Sequence, residues 1–417
     1  MQRIRTSLPY FAANDWEPTI VMVDEIYADL VKDDLLLASL PPDIQIYKVK
    51  AANKNLTAKL GLGSIALRSL WQYRQKVDEL LAADRYDLVY FSTTQFPVCV
   101  LGAHWKRKFN IPYVIDMQDP WYSDHYDDKP KAQRPPKYRL MYALHKSLER
   151  VAMKSVDGLI SVSKSYIDTL KARYPQLADV PFAVITFGAF SQDIVVADAN
   201  RDKFINLLSA GTFNVVYVGR AGPDMHKAIR PVFEALKLGL VNAPASFRKI
   251  KLYFIGTSYA PAGFGLPSVF PLAKSLGVEG QVVEITDRIS YYHTLSVLER
   301  ADALFIPGSD DPHYTASKIY PYVLMQKPLL AIFNKNSSAA DVLSNCTANA
   351  IVLTFDKESS ASVTAVYQVL ENWVSGHSTP IEILESFEAY SAEILTTKQT
   401  ELFELALKHF ETAHSNA

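Results

Sequence analysis

Cysteine is almost absent: Cys99 and Cys346 are the only two in 417 residues. That excludes a disulfide scaffold and a four-cysteine zinc site. Both lie in stretches without an evident activating partner and are expected to be buried, inert thiols of a reducing compartment. Glycine is scarce too, 16 residues or about 4% against the usual ~7%, which excludes collagen-like and Gly-linker architectures. Net charge is also missing. The 43 Lys+Arg and 44 Asp+Glu leave −1, so no global basic field invites nucleic acid. The uncharged run 88–105 is interrupted by Ser92, Thr93, Thr94, Gln95 and Pro97 and cannot be read as a membrane span. Residues 1–15 contain no apolar core of a signal peptide. Gly-x-Ser-x-Gly, His-Glu-x-x-His and Walker-type sequences do not occur, which removes the commonest hydrolase and NTPase readings.

What is present is a 49% hydrophobic chain, enough for a large core. Short β-rich runs lie at 19–23, 44–47, 88–91, 113–115, 159–162 and 183–185 in the first half. The second half repeats the habit at 215–218, 252–255, 282–285, 303–306, 329–332 and 351–353. Helical spacing fills the intervals, as in Ile229, Val232, Phe233 and Leu236. Strands apolar on both faces, separated by amphipathic helices, predict parallel sheets covered on both sides. The expected fold class is therefore α/β, with two doubly wound domains facing a cleft. We place the first domain at 1–187, the second at 188–395, and a C-terminal helix and tail at 396–417. A linker is expected near 187–206, where periodicity lapses. The last helix, with Phe403, Ala406, Leu407 and Phe410 on one face, has no strand after it and should pack back across the joint.

The beginning departs from a complete doubly wound domain. A helical stripe of Ile4, Leu8 and Phe11 precedes the first strand. One strand and its glycine-containing loop are therefore expected to be missing. An empty position should lie beside 19–23 or 88–91.

Four segments carry candidate chemistry. Asp116 and Asp119 follow the strand at 113–115, where carboxylates can orient sugar hydroxyls or act as a base; the alternative is that Asp116 caps a turn while Trp121 fills the core. Gly219 and Arg220 open the second domain's first strand-to-helix turn, with Lys227 and Arg230 on the helix beyond. Glycine lets backbone approach a phosphate, Arg220 offers a planar fork and Lys227 a point charge; otherwise the cations are solvated. The third segment follows the strand at 303–306. It has turn residues, then His313, Tyr314, Thr315, Ala316, Ser317 and Lys318 leading into a helix at 318–326, a geometry that aims amides at an anion. Its Asp310-Asp311 pair reads as a solvated turn rather than a metal site. Fourth, from Lys129 to Arg150, basic residues flank an apolar stripe of Leu140, Leu144, Leu148 and Val151. Such a helix can dock on anionic lipid, or simply pack on its domain.

Together these segments resemble a family-4-type glycosyltransferase of the GT-B fold, over nearly the whole chain. The resemblance is carried by Ile111-Pro112-Tyr113-Val114-Ile115-Asp116 with Asp119-Pro120-Trp121, and by Gly158-Leu159-Ile160-Ser161-Val162-Ser163-Lys164. In the second half it rests on Val216-Tyr217-Val218-Gly219-Arg220, Ala301-Asp302-Ala303-Leu304-Phe305-Ile306-Pro307, Ser317-Lys318-Ile319-Tyr320-Pro321-Tyr322 and Lys327-Pro328. It implies a retaining transfer of sugar from a nucleotide-sugar donor, bound by the second domain, to a glycan or lipid-linked acceptor on the first. The setting implied is bacterial cell-envelope polysaccharide synthesis, in the cytoplasm and peripherally at the inner face of the plasma membrane, with no metal or other cofactor. Donor binding would fall to Gly219, Arg220, Lys227, Thr257, Tyr314, Thr315, Ala316, Ser317 and Lys318, and catalysis to Asp116, Asp119 and His313. Where many members carry two glutamates, this chain has His313 and Pro321, and Ala228 replaces the usual glycine after the lysine. A nucleotide-sugar epimerase of the same fold and an inactive glycosyltransferase-like partner are the alternatives.

Overall fold

The computed structural model describes residues 2–27, 33–57, 63–122, 138–311 and 318–415. The chain forms two units. One comprises Met1–Lys32, Leu40–Phe187 and Ala392–Ala417; the other comprises Asp33–Ser39 and Gly188–Ser391. The chain passes from one unit to the other between 187 and 188, and two further pieces cross over. Asp33–Ser39 belongs to the second unit, where Leu35 and Leu36 pack beside Tyr292 and Leu295. The C-terminal helix begins at Ala392 and is part of the first unit, not a separate tail.

In the first unit, β1 (Thr19–Val23) and β2 (Gln45–Val49) form a parallel pair. A parallel four-stranded sheet follows in chain order: β3 (Val89–Ser92), β4 (Tyr113–Met117), β5 (Gly158–Ser161) and β6 (Phe182–Val184). Every residue of β4 and β5 is buried, because both faces are covered. Tyr113 and Ile115 pack with Phe91, Trp105 and Leu159 on one side. Val114 and Ile160 point to the other, against Leu402, Phe403 and Ala406 of the C-terminal helix Ala392–Ser415.

The two sheets share their covering layers but no hydrogen-bond ladder. Ile20 of β1 and Tyr90 of β3 pack into the same cluster with Phe403. On the opposite side, Tyr73 of the helix Ile65–Ala83 packs with the cluster holding Phe91, and its hydroxyl accepts from the Val23 amide at 3.1 Å. Among the described residues no strand pairs with both β1 and β3.

The N-terminal helix Gln2–Ser7 is shorter than the stripe from Ile4 to Phe11 suggests. Its continuation is two 3₁₀ turns, Leu8–Tyr10 and Ala12–Asn14, since Pro9 has no N–H for an α-helical ladder. Arg3 fastens this helix to the sheet. Its Nε lies 2.6 Å from Asp116 Oδ2, and its other nitrogens donate to the carbonyls of Ile185 and Thr186. Both partners are buried, at 4% and 0% exposure.

In the second unit, β7 (Phe213–Val218), β8 (Ile250–Ile255), β9 (Val282–Ile285), β10 (Ala303–Pro307) and β11 (Leu329–Asn334) join one parallel sheet. With β12 (Thr347–Ala348) and β13 (Ile351–Phe355) following, the order is β13-β11-β10-β7-β8-β9. The chain winds outward from β7 in one direction and from β10 in the other, so β7/β10 is the topological switch point. Ile229, Val232, Phe233 and Leu236 all face the core from the helix His226–Asn242. The expected linker contains a helix, Gln192–Ala199, held by Val196 and Ala197 against Tyr292 and Leu295. An antiparallel pair of β12 with β14 (Glu382–Ile383) was not expected, because two residues are too few to show a period.

The Arg3–Asp116 pair makes a stability test. Arg3→Met leaves a buried carboxylate without its cation and should cost about 3–5 kcal/mol, while Arg3→Met/Asp116→Leu should recover most of the loss. Urea denaturation of the full chain measures both; a double variant as weak as the single one would exclude the stranded charge as the cause.

Candidate functional site

The second unit's switch point collects the cations. After β7 the chain stays extended along β8: the Gly219 amide donates to Ile255 O at 2.7 Å and the Ala221 amide to Thr257 O at 3.1 Å. Gly219 sits at φ 151°, where L side chains are rarely found, and a Cβ there would collide with Lys318 Nζ. Lys318 reaches this spot from beyond β10, its Nζ 3.4 Å from the Tyr217 hydroxyl. That hydroxyl donates in turn to Arg220 O at 2.7 Å. Lys318 forms no ion pair among the described residues, and its pKa is lowered to about 8 by burial first, then by Arg220 and Arg288.

Arg220 is paired. Its fork holds Asp224 through Nη1–Oδ1 at 2.8 Å and a second short contact, Nη2–Oδ2. Ser309, after β10, donates its hydroxyl to Asp224 Oδ2 at 2.8 Å. Burial pushes the Asp224 carboxyl up, but the Arg220 and Ser309 bonds outweigh it and hold the pKa below the usual range.

Lys227 does not join this group. It is exposed and donates to the carbonyls of Asp356 and Lys357 at 3.3 and 3.4 Å. Thr257 is buried, and its hydroxyl donates to Glu284 Oε1 at 2.8 Å. The same Glu284 carboxylate accepts from the amides of Ser268, Val269 and Phe270, capping the helix Val269–Leu276. The Thr257 side chain is thus occupied inside the fold. His313, Tyr314, Thr315, Ala316 and Ser317 lie outside the described residues; the helix after them spans Ile319–Leu324, shorter than 318–326. Asp310 and Asp311 are exposed in a turn, and no metal-holding group occurs among the described residues.

In the first unit, Asp116 has a structural setting. One oxygen takes Arg3 and the Gln118 amide at 2.7 Å, while Oδ1 is buried without a partner. Asp119, three residues on, is exposed at the strand end. Trp121 stacks on Phe96 at 5.5 Å and donates to His145 Nδ1 at 2.9 Å; burial lowers the His145 pKa and suits its acceptor role. The helix Tyr138–Met153 turns Glu149, Ala152 and Met153 inward, with Leu148 packed on the core. The stripe expected from Leu140 to Val151 is therefore divided: Leu140 and Val151 are exposed, alongside Arg139, Lys146 and Arg150. Residues 123–137, including Lys129, lie outside the described residues. Both cysteines are buried, and burial pushes their thiols up.

Residues 15–186 match the family model of the glycosyl transferase 4-like domain. The match falls largely within the first unit and spans less than half of the chain. The N-terminal domain of the Candida albicans trehalose-6-phosphate phosphatase is similar in fold, with TM-score 0.51 and 13% identity, covering 100% of this chain and 92% of that one. An E. coli structure, trehalose-6-phosphate bound with UDP-2-fluoro glucose, aligns at TM-score 0.47 and 12% identity over 96% and 98%. The UDP-forming trehalose-phosphate synthase from Burkholderia vietnamiensis aligns at 0.45 and 12% over 96% and 100%. No curated protein matches the sequence. The chain has the GT-B fold, with two Rossmann-like units.

Arg3, Tyr217, Asp224, Arg288 and Ser309 escaped the sequence reading. Only Asp224 had a signal, its i,i+4 spacing from Arg220. Asp224→Asn should free the Arg220 fork while keeping an acceptor for Ser309. Calorimetry with inorganic pyrophosphate should then show binding tightened by about 1 kcal/mol, roughly fivefold. Weaker binding would mean that Asp224 orients Arg220 rather than competing for it.

Proposed function

We propose that this protein is a glycosyltransferase that moves a sugar from a nucleotide-sugar donor to a glycan or lipid-linked acceptor in cell-envelope polysaccharide synthesis. The transfer retains the anomeric configuration. The observation that carries the donor half is the meeting of Arg220 and Lys318 at the second unit's switch point, within the electrostatic reach of Arg288, with the lysine lacking a described carboxylate partner. A departing nucleoside diphosphate gathers negative charge as the glycosidic bond breaks. Fixed cations meet that charge without reorganisation, and one well-placed donor supplies about 2.7–4 kcal/mol of transition-state stabilisation. These side chains perform the neutralisation in this reading, with no metal assigned a step. Asp119 offers an exposed carboxylate for a sugar hydroxyl on the acceptor side, and His313 is assigned a hydroxyl of the donor sugar.

A second reading, an inactive glycosyltransferase-like partner, is favoured by Pro321, which stands in the helix Ile319–Leu324 where many relatives carry a glutamate. One screen separates the two. Thermal-shift measurement against nucleoside diphosphates and nucleotide sugars should raise the melting temperature for one base, and Arg220→Ala should weaken that binding by roughly 1.5–3 kcal/mol. A silent panel would support the inactive partner. Unchanged affinity in the variant would remove Arg220 from the site.

The exposed face of Tyr138–Met153 extends the proposal to a membrane surface. Arg139, Lys146 and Arg150 stand beside exposed Leu140 and Val151, and no described helix is long and apolar enough to cross a bilayer. Sedimentation with vesicles should show binding that needs anionic lipid and weakens with salt, each basic residue contributing about 1 kcal/mol. Equal binding to neutral vesicles, or none to either, would remove the membrane from the proposal.

A further inference from the structure

The resemblance places a second phosphate-binding cation seven residues after Arg220, at Lys227. The structure directs Lys227 elsewhere, to two backbone carbonyls at 356 and 357. Another lysine stands beside Arg220. We propose that Lys318, passing beneath Gly219, is the second diphosphate-binding cation of this glycosyltransferase in place of Lys227. This rests on the donor-site reading above and names the group that completes it.

Three observations support the assignment. A Cβ at position 219 would fall on Lys318 Nζ, so glycine leaves the amine free to occupy the place it holds. The chain thus accommodates a cation at the end of a central strand. Second, among the described residues the groups facing Lys318 offer it no neutralising charge. Tyr217 from β7 gives a neutral hydroxyl and a ring face 5.4 Å away; Arg220 and Arg288 are cations; and the Asp224 carboxylate is engaged by Arg220 and Ser309. A partly buried ammonium held among cations costs free energy unless an anion joins it. Third, the position is the switch point of a parallel sheet, outside the carboxyl ends of β7 and β10, where open α/β sheets bind ligands.

The lowered pKa of about 8 gives the assignment a second readout. At pH 7 the free amine is mostly charged and at pH 9 mostly neutral. A bound diphosphate restores the charge, so binding takes up about half a proton at pH 8. Affinity accordingly falls about tenfold between pH 7 and pH 9.

Titration calorimetry of the full chain with ADP, GDP and UDP in turn tests this, since their terminal phosphates, with a second pKa of about 6, are largely ionised over that range. Lys318→Met should weaken the tightest binder at least tenfold at pH 7 and abolish the fall toward pH 9. Lys227→Gln should stay within twofold of the wild type. The melting temperature of Lys318→Met should not drop, because an uncompensated cation has been removed. Should that variant fail to fold, proton uptake by the wild type, measured in buffers of different ionisation heat, decides alone: none at pH 8 overturns the proposal. It is equally overturned if Lys227→Gln loses tenfold while Lys318→Met binds normally. If Arg220→Ala weakens binding and Lys318→Met does not, only this assignment fails. If no nucleotide binds, or neither variant matters, the donor-site reading itself fails.

Discussion

A parallel strand buried on both faces can present polar chemistry only at its ends. That constraint governs both units. β4, β5, β10 and β11 have no exposed residue, so none of their side chains can meet a ligand from the middle of a strand. The groups assigned to donor and acceptor binding by the structure sit in loops that follow strands: Asp119 after β4, Gly219 and Arg220 after β7, Arg288 after β9, and Ser309 and Lys318 after β10. The helices cover the faces, and the loops are left to carry charge.

The two units treat charge differently. In the first, Asp116 is enclosed completely and the enclosure is made tolerable by Arg3, which also satisfies two carbonyls beyond β6. The carboxylate becomes a fastening for the N-terminal helix, and the exposed Asp119 is left to face solvent. In the second, Arg220 has its acid, but Lys318 has none among the described residues. A compensated pair buried this deeply serves the fold, whereas an uncompensated cation at a strand end leaves a charge that a ligand can satisfy.

The first unit also shows how a split sheet can be held together. β1–β2 and β3–β6 exchange no ladder hydrogen bonds, yet each face of the pair of sheets is covered by a common layer. Phe403 of the C-terminal helix is central on one side, within ring-contact distance of Phe11, Trp16 and Tyr90. Tyr73 does a related task on the other, taking the Val23 amide with its hydroxyl while its ring joins the core. Side-chain packing and one side-chain hydrogen bond stand where a continuous ladder would otherwise run.

The strands were legible in the sequence because their signal is local. Runs such as 19–23 and 282–285 are short, apolar and bounded by turn residues, and the structure places strands at those limits. The parallel, doubly wound class followed from the same alternation, and the turn after β7 was visible as a candidate site from Gly219 and Arg220 alone. Which charges meet was not legible. Lys318 and Tyr217 are 101 positions apart and Arg3 and Asp116 are 113 apart, so no spacing rule links them. Lys227, well placed on paper, is carried by its helix toward the loop at 356–357, while Lys318 arrives from another strand's end. Local periodicity determined where the chain extends and coils. Only the stacking of β7 beside β10 decided which cations share a site, because Coulomb forces act through space and not along the sequence.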